Sequence, residues 1–416
     1  MHEGTRRLGT LVAVAAVVWH ALSVLSPAWV QAFEEERGRD FASYYYAVQV
    51  AGQGGDPYDR AALNRAARAD GVRRGVHPYL YAPPFLLGMI WALPTDLSFA
   101  YHLWFWLHEL CALGAALVLW RWWRPLGEEV PWLIAAVVAL MTAIPNNHAM
   151  GQANFPGLLL ALAGLWQVDR GRPWLGGGLM GAACMLKMSP ALFVAWWLVR
   201  RRFDAAGAAI LTGVALSLLS LPLVGLGTQL RFYLEILPTF GSGSYNGLAV
   251  PIGLFGNHSI PNLIDGAIPG DGRTLAPAAQ ALSTVVNLAL VGGLGWLFAT
   301  ARPDALSRAA QASAVGVLIL LVPVYTYEHH LVFAIPAAVI SILGVCRGRL
   351  PEIWIVPLGL CLTALLFDLQ SIKGIAGALP EGMSGLIGPL RELKFLALVG
   401  LLGATTTLGV GSPDGR

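Results

Sequence analysis

Long apolar runs alternate with short polar turns along almost the whole of the 416-residue chain. A helix needs about 20 apolar residues to cross a bilayer, and runs close to that length recur from Leu8 to Val410. The pattern predicts an all-α polytopic membrane protein with about 11 to 13 transmembrane helices. The predicted spans lie at 8–30, 99–120, 130–146, 154–168, a tight pair within 173–199, 206–226, 278–299, 309–326, 329–346, 352–368 and 392–410.

No polar block between these runs is long enough to fold separately, so residues 1–416 are predicted to form one transmembrane domain. The domain includes two large outer loops, 31–98 and 227–277. Within the first, the stretch Tyr79–Pro94 is too short to span a membrane and contains three prolines. We therefore expect it to form a helix that lies in the outer interface.

Composition supports a lipid environment. Hydrophobic residues make up 56% of the chain and charged residues only 12%, against about 25% charged in soluble domains, and the mean hydropathy is +0.61. The basic residues are scattered, which excludes the patch that nucleic acid requires. The four cysteines lie inside apolar runs without metal-ligand spacing, so they are interpreted as buried thiols and no metal site is predicted.

Basic residues also predict the topology, because short loops rich in arginine mark the cytoplasmic side of a membrane protein. One threading of the chain places every such cluster on that side. It puts both the N-terminus and the C-terminus in the cytoplasm and predicts a multi-pass protein of the cytoplasmic (plasma) membrane. The clusters are Arg6/Arg7, Arg121/Arg124, Arg170/Arg172, Arg200 to Arg202, Arg302/Arg308 and Arg347/Arg349.

Two aspartates of the first outer loop stand out. Asp40 follows the first predicted span and precedes an amphipathic stretch rich in tyrosine. A carboxylate at the rim of an apolar cavity can act as a general base, because partial desolvation raises its affinity for a proton. The alternative for Asp40 is an N-cap of the helix that follows. Asp56, between Gly55 and Pro57, has turn composition and is interpreted as structural.

Polar residues also interrupt the middle of the chain. Lys187 lies inside an apolar run, where a lysine is costly unless it is paired or faces a wet cavity, so it is a functional candidate with a phosphate oxyanion as its natural partner. Snorkelling to the interface is the alternative. In the polar segment 146–154, Gln152 and Asn154 could fix a hydroxyl-rich ligand, although a short polar loop would look the same.

Glu328, His329 and His330 stand side by side between two apolar runs. Ionisable groups are expensive there, and two imidazoles can donate to phosphate or sugar oxygens; a solvated helix end is the alternative. Metal binding is less favoured, because adjacent residues of a helix point about 100 degrees apart. Asn257 lies in a loop of turn composition and is a weaker candidate.

Taken together, these segments resemble the polyprenyl-phosphate-mannose-dependent mannosyltransferases of glycosyltransferase family 87, within the membrane-embedded C-type glycosyltransferase superfamily. The resemblance runs through most of the chain and rests on the order and spacing of several short motifs. The motifs are Asp40-Phe41 with Tyr45, Gly55-Asp56-Pro57-Tyr58, Tyr79-Leu80-Tyr81-Ala82-Pro83-Pro84-Phe85, Gly151-Gln152-Ala153-Asn154, Lys187 with Pro190, Gly256-Asn257-His258-Ser259, and Glu328-His329-His330.

The resemblance implies a C-type glycosyltransferase fold, a lipid-phosphate sugar as donor and a site at the outer face of the membrane. Asp40 is implied to be the catalytic base, and Lys187, His329 and His330 are implied to hold the donor phosphate. A nucleotide sugar, a cofactor and a metal ion are not expected. The implied substrate-binding residues are Tyr45, Tyr81, Gln152, Asn154, Asn257 and Glu328.

The predicted function is an inverting transfer of a hexose from a polyprenyl-phosphate sugar to a lipid-linked or polymeric glycan acceptor. The chain has Thr326-Tyr327-Glu328 where the family usually has Ser-Trp-acid, and His258 where its loop commonly has glutamine. The resemblance implies mannose as the sugar, and because of these two departures arabinofuranose and glucose are kept as alternatives. A flippase or transporter of lipid-linked sugars would require paired broken helices related by pseudo-symmetry, and a structural subunit would tolerate replacement of Asp40.

Overall fold

The computed structural model describes residues 3–25, 38–248, 250–301 and 303–411. The end of the predicted first span, the start of the first outer loop and Arg302 of one predicted cytoplasmic cluster lie outside these ranges. Within them the regular elements are helices, and no strand occurs. The all-α prediction is confirmed.

The helices are numbered here in chain order. The first part of the chain contains α1 Glu3–His20, α2 Arg39–Gly52, α3 Arg60–Ala69, a 3-10 helix Pro83–Ala92, α4 Leu97–Trp123, α5 Val130–Leu140, α6 Ala143–Met150, α7 Asn154–Asp169, α8 Pro173–Leu186, α9 Ala191–Val199 and α10 Phe203–Arg231. The second part contains α11 Ile260–Ala267, α12 Pro277–Thr300, α13 Ala305–Leu321, a 3-10 helix Glu328–Ala334, α14 Ile335–Cys346, α15 Ile355–Leu366, α16 Leu369–Gly377, α17 Ile387–Arg391 and α18 Leu393–Val410.

Several helices are long and apolar enough to cross a membrane. In the described part of the chain five pass this test, at Leu97–Leu126, Phe203–Ser242, Pro277–Thr300, Glu328–Cys346 and Leu393–Val410, and two bent pairs raise the number to seven if each is one span. Shorter apolar helices accompany them. The chain is a polytopic membrane protein, and the predicted 11 to 13 spans stay a prediction.

The exposed faces of these helices are apolar. On α10, Leu218 is 61% exposed and Leu219 is 65% exposed, and on α12 Leu288 is 67% exposed and Trp296 is 68% exposed. Apolar surface of this extent is unfavourable in water but matches hydrocarbon. Lipid is therefore the solvent of these faces.

The chain divides into two compact units. The first unit consists of Met1–Ser23, Leu119–Ile144 and Pro251–Arg416, and the second of Val24–Val118 and Pro145–Val250. At the centre of the first unit, α13 is buried on all sides from Ala309 to Leu321, as expected for a helix that is apolar around its whole circumference. The 3-10 helix and α14 that follow it in the chain are also largely buried.

In the second unit, α8 packs closely on α10 through glycines. A Cβ atom at Gly177 would clash with the carbonyl oxygen of Ala205 and lie 2.6 Å from the Cβ of Ala208. A Cβ at Gly181 would clash in the same way with the carbonyl oxygen of Ala209. Small residues four positions apart let two helix backbones approach, which is a common packing mode in membranes.

The structure divides one predicted span. Residues 130–146 form α5 and the start of α6, with a break after Leu140. The backbone of Met141 is extended at the break, and Pro145, inside the first turn of α6, has no N–H with which to continue an earlier helix. The stretch predicted to be an interfacial helix is helical over Pro83–Ala92, but as a 3-10 helix.

Candidate active site

Asp40 lies in the first turn of α2 in the second unit. The N-cap position is taken by Gly38, whose φ of 71° is left-handed and whose N–H donates to the carbonyl of Ala149 at 2.7 Å. The alternative interpretation of Asp40 as the N-cap is therefore wrong. A carboxylate in the first turn is still favoured by the partial positive charge of the helix N-terminus.

Both carboxylate oxygens of Asp40 have an identified partner. The amide Nε2 of Gln152 donates to Oδ2 at 2.8 Å, and Nδ1 of His77 lies 3.0 Å from Oδ1. The Asp40 side chain is 15% exposed. An ionised carboxylate offers about four lone-pair sites, so these two bonds do not by themselves prevent it from accepting a proton from a hydroxyl.

Two tyrosines fix the orientation of Gln152. The hydroxyl of Tyr81 donates to Oε1 of Gln152 at 2.8 Å, and the hydroxyl of Tyr44 donates to that of Tyr81 at 2.7 Å. Burial raises the pKa of both hydroxyls, and the charge of Asp40 adds to the shift. An ionised carboxylate can only accept a hydrogen bond, so Nε2 of Gln152 faces Asp40 as the donor, and Oε1 accepts from the hydroxyl of Tyr81.

The loop that carries Gln152 is built by close packing. Gly151 has a φ of 69°, and a Cβ atom there would lie 2.6 Å from the Cβ of Phe41. The indole of Trp104 donates to the carbonyl of Gly151 at 2.8 Å, and the N–H of Gln152 donates to the carbonyl of Asn147 at 3.1 Å. Glycine at position 151 thus lets the loop approach α2 closely enough for Gln152 to reach Asp40.

Lys187 and Asn154 are brought together in the same unit. Lys187 lies in an extended break between α8 and α9, and its ammonium donates to Oδ1 of Asn154. The amide of Asn154 donates in turn to Oδ1 of Asn147 at 2.8 Å. Lys187 also interacts electrostatically with Asp40. A cation and a carboxylate thus face one region of the second unit.

Two residues of the first-loop motifs have other partners. The hydroxyl of Tyr45 donates to the backbone carbonyl of Thr95 at 2.7 Å, so the structure does not place it beside Asp40. Asp56 accepts a bond from the N–H of Tyr58 at 2.9 Å and forms an ion pair with Arg231. It braces a turn, as the sequence suggested.

In the first unit, Glu328 is the centre of a buried ionic cluster. Lys394, only 1% exposed, donates to Oε1 of Glu328, and the hydroxyl of Thr142 donates to the same oxygen at 3.0 Å. Nε2 of His258 lies 3.5 Å from Oε2, and burial lowers the pKa of His258, against the opposing effect of Glu328. The carboxylate is neutralised by a lysine that sequence reasoning missed.

Asn257 and the paired histidines lie close to this cluster along the chain. Asn257 donates to the carbonyls of Ile252 at 3.0 Å and Val324 at 2.9 Å, and it accepts from the N–H of Thr326 at 2.9 Å. These bonds to the backbone give Asn257 a bracing role. The N–H of Tyr327 donates to Nδ1 of His330 at 3.1 Å, and His329, 7% exposed, has its ring centroid 4.3 Å from that of His330.

Sequence reasoning missed His77 and Lys394. His77 stands two residues before the tyrosine-proline motif that begins at Tyr79, and a histidine next to a proline in a polar loop has no signal of its own. Lys394 follows Arg391 and Glu392 at the start of the last apolar run, a position that is typical of a charged residue exposed at the start of a helix. In the described part of the chain, no three His, Cys, Asp or Glu side chains are grouped as metal ligands.

The helices and the carboxylate site define a polytopic, all-helical membrane enzyme. The chain belongs to glycosyltransferase family 87, whose sequence model matches residues 79–323, more than half of the chain. The predicted family is confirmed. Asp40 and His77 precede the matched residues.

Two relatives are similar to this chain over part of their length. A polyprenol-phosphate-mannose-dependent alpha-(1-2)-phosphatidylinositol pentamannoside mannosyltransferase of Mycobacterium tuberculosis (strain CDC 1551 / Oshkosh) is 29% identical over 223 residues, 54% of this chain and 48% of the relative. A polyprenol-phosphate-mannose-dependent alpha-(1-2)-phosphatidylinositol mannoside mannosyltransferase of Mycolicibacterium smegmatis (strain ATCC 700084 / mc(2)155) is 36% identical over 91 residues, 21% of this chain and 20% of the relative. The matches thus span about half, or less, of each relative. No solved structure matches the chain.

Proposed function

We propose that the protein is an inverting mannosyltransferase that moves mannose from a polyprenyl-phosphate donor to a glycolipid acceptor at the outer face of the membrane. Membership of glycosyltransferase family 87 supports the transfer of a sugar. The names of both relatives contain the donor polyprenol-phosphate mannose and a phosphatidylinositol mannoside acceptor, which supports the choice of sugar and a glycolipid as acceptor.

The observation that carries the proposal is the carboxylate of Asp40, held by Gln152 at 2.8 Å and His77 at 3.0 Å. A general base needs a fixed position and access to the proton that it removes. The two bonds supply the first, and partial exposure of the side chain supplies the second. We assign Asp40 as the base.

The reaction requires a single displacement. The acceptor hydroxyl oxygen attacks the anomeric carbon, the bond from that carbon to the phosphate oxygen breaks, and polyprenyl phosphate leaves with the electron pair. The hydroxyl proton passes to Asp40. Because a phosphate is a good leaving group, no general acid is needed, and one carboxylate suffices for an inverting transfer.

Negative charge accumulates on the departing phosphate, and a cation lowers the energy of that state. In the second unit, we assign this role to Lys187, which Asn154 and Asn147 orient through two hydrogen bonds. His329 and His330 of the first unit, implied by the family resemblance to bind the same phosphate, stay predictions. The outer face is proposed because the threading by positive charge places the Asp40 segment outside.

The test is sugar transfer in membranes that contain the wild type or Asp40→Asn, with labelled polyprenyl-phosphate mannose and a crude lipid and glycan extract as acceptor. We expect Asp40→Asn to lose about a hundredfold or more, as loss of a general base typically costs. Asp70→Asn, the same chemical change at an exposed site of the same outer loop, is the matched control and should keep full activity.

The outcomes separate the alternatives. Equal transfer by the wild type and Asp40→Asn would remove Asp40 from the mechanism. Parallel reactions with polyprenyl-phosphate arabinofuranose and polyprenyl-phosphate glucose test the sugar, and a preference for either would replace mannose. No transfer from any of the three donors by an inserted, folded wild type would refute the proposed reaction.

A further inference from the structure

His77 lies outside every motif that the family resemblance uses and before the residues that the family model matches. It nevertheless contacts the carboxylate proposed as the base, with Nδ1 3.0 Å from Oδ1 of Asp40. The side chain of His77 is 23% exposed and that of Asp40 is 15% exposed. The pair is therefore partly shielded from water but not sealed from it.

The backbone around His77 is held on both sides. The N–H of Val76 donates to Oδ1 of Asn64 at 2.9 Å, and Asn64 itself donates to the carbonyl of Arg60 at 2.9 Å on α3. Pro78, which is buried, follows His77 and restricts its backbone to extended conformations. The imidazole is thus presented to Asp40 by an anchored segment of the loop.

The geometry determines what His77 contributes. An ionised carboxylate can only accept a hydrogen bond, so Nδ1 of His77 carries the proton that faces Oδ1. Gln152 donates to the other oxygen. Two donors from two separate loops therefore hold the carboxylate plane, and a base held in this way needs no reorganisation when the hydroxyl arrives.

We infer that His77 is a positioning residue for Asp40, acting through the Nδ1–H donor in the sugar transfer proposed above. The inference rests on that proposed function, since it concerns the orientation of its base. Asp40 is the acidic group that faces His77, and Tyr44, Tyr81 and Lys187 interact electrostatically with the same carboxylate.

Three substitutions test the role by geometry. The side-chain amide of asparagine places an N–H donor close to the position of Nδ1, whereas glutamine places its donor one bond farther out and alanine has none. We expect His77→Ala to lower kcat about tenfold to a hundredfold, the cost of a misplaced catalytic group, with KM for the donor changed less than about twofold, because binding of the donor itself is not altered. His77→Asn should recover most of kcat, and His77→Gln should not.

A double variant distinguishes positioning from a loss of folding. In an Asp40→Asn background, His77→Ala should cause no further loss of the residual rate, because the group that it positions is already gone. An equal loss in both backgrounds would show that His77 supports the structure instead. Wild-type kcat in His77→Ala would overturn the inference while leaving the transferase intact, whereas absence of transfer by the wild type would overturn the proposed function first.

Discussion

The amide donor in the hydrogen bond from Gln152 to Asp40 can be replaced by a carboxylate oxygen with almost no change in the shape of the side chain. In Gln152→Glu, a carboxylate oxygen replaces the Nε2 donor that lies 2.8 Å from Oδ2 of Asp40. The other oxygen still accepts from the hydroxyl of Tyr81. The substitution therefore exchanges an amide donor for a carboxyl group that can donate to Asp40 only while it holds a proton, and the tyrosine bonds that hold the loop remain.

The size of the effect follows from the distance. Two unit charges 2.8 Å apart repel by about 6 kcal/mol at an effective dielectric constant of about 20. Since each 1.36 kcal/mol corresponds to about one pH unit, the pair will hold one shared proton throughout the neutral range. Because the shared proton occupies Asp40 for part of the time, we expect Gln152→Glu to lose about twofold or more of its transfer rate at pH 7 and to regain activity as the pH rises.

A second variant separates the effect of losing the hydrogen-bond donor from the effect of the introduced carboxyl group. Gln152→Met keeps the length of the side chain but removes the bond to Asp40, and a hydrogen bond to a charged group is worth about 1.5 to 3 kcal/mol. Loss of a donor disfavours the ionised carboxylate, so the acid limb of the pH–rate profile should move up by about one to two pH units. Activity at pH 7 should therefore fall in the order wild type, Gln152→Met, Gln152→Glu.

The assay is the initial rate of mannose transfer across a series of pH values, with Gln53→Glu as the control. Gln53 is exposed at the end of the same helix as Asp40, so the same change of charge there should leave the profile unchanged. If Gln152→Glu kept the wild-type rate and profile, Gln152 would not be the donor to the base. The assignment of Asp40 would then lose its main structural support.

Two further predictions concern stability, measured by thermal unfolding of the protein in detergent. Gly181→Ala should destabilise the protein by about 1 to 3 kcal/mol, because its Cβ would clash with the carbonyl oxygen of Ala209. Gly178→Ala is the control, because its Cβ would make only an ordinary contact at 3.5 Å. Equal losses of stability in the two variants would contradict the close packing of α8 on α10. Lys394→Met should destabilise by about 3 to 5 kcal/mol, because it leaves Glu328 buried without its cation. Adding Glu328→Gln should restore much of that loss, and failure to do so would mean that the pair is not coupled.

The hydrophobic pattern alone predicted much of the fold. A span is a local property, because the bilayer sets its length and every backbone group must be paired within the helix. For this reason α7 at Asn154–Asp169 and α18 at Leu393–Val410 lie within a residue or two of the predicted 154–168 and 392–410. The pattern was less informative about breaks inside a predicted span, where single backbone angles decide, as at Met141.

The sequence by itself also picked out Asp40, Gln152 and Lys187, because polar groups next to apolar runs are conspicuous and their motifs resemble a known family. Only the tertiary structure decided their partners. Asp40 and Gln152 are 112 positions apart, and His77, which completes the pair of donors to Asp40, carries no signal along the chain. Whether a hydrogen bond forms depends on the distance, within a few ångströms, between two groups that folding brings together, so the sequence does not show it. The cost of burying a polar group depends on the type of that residue, so the sequence does show it.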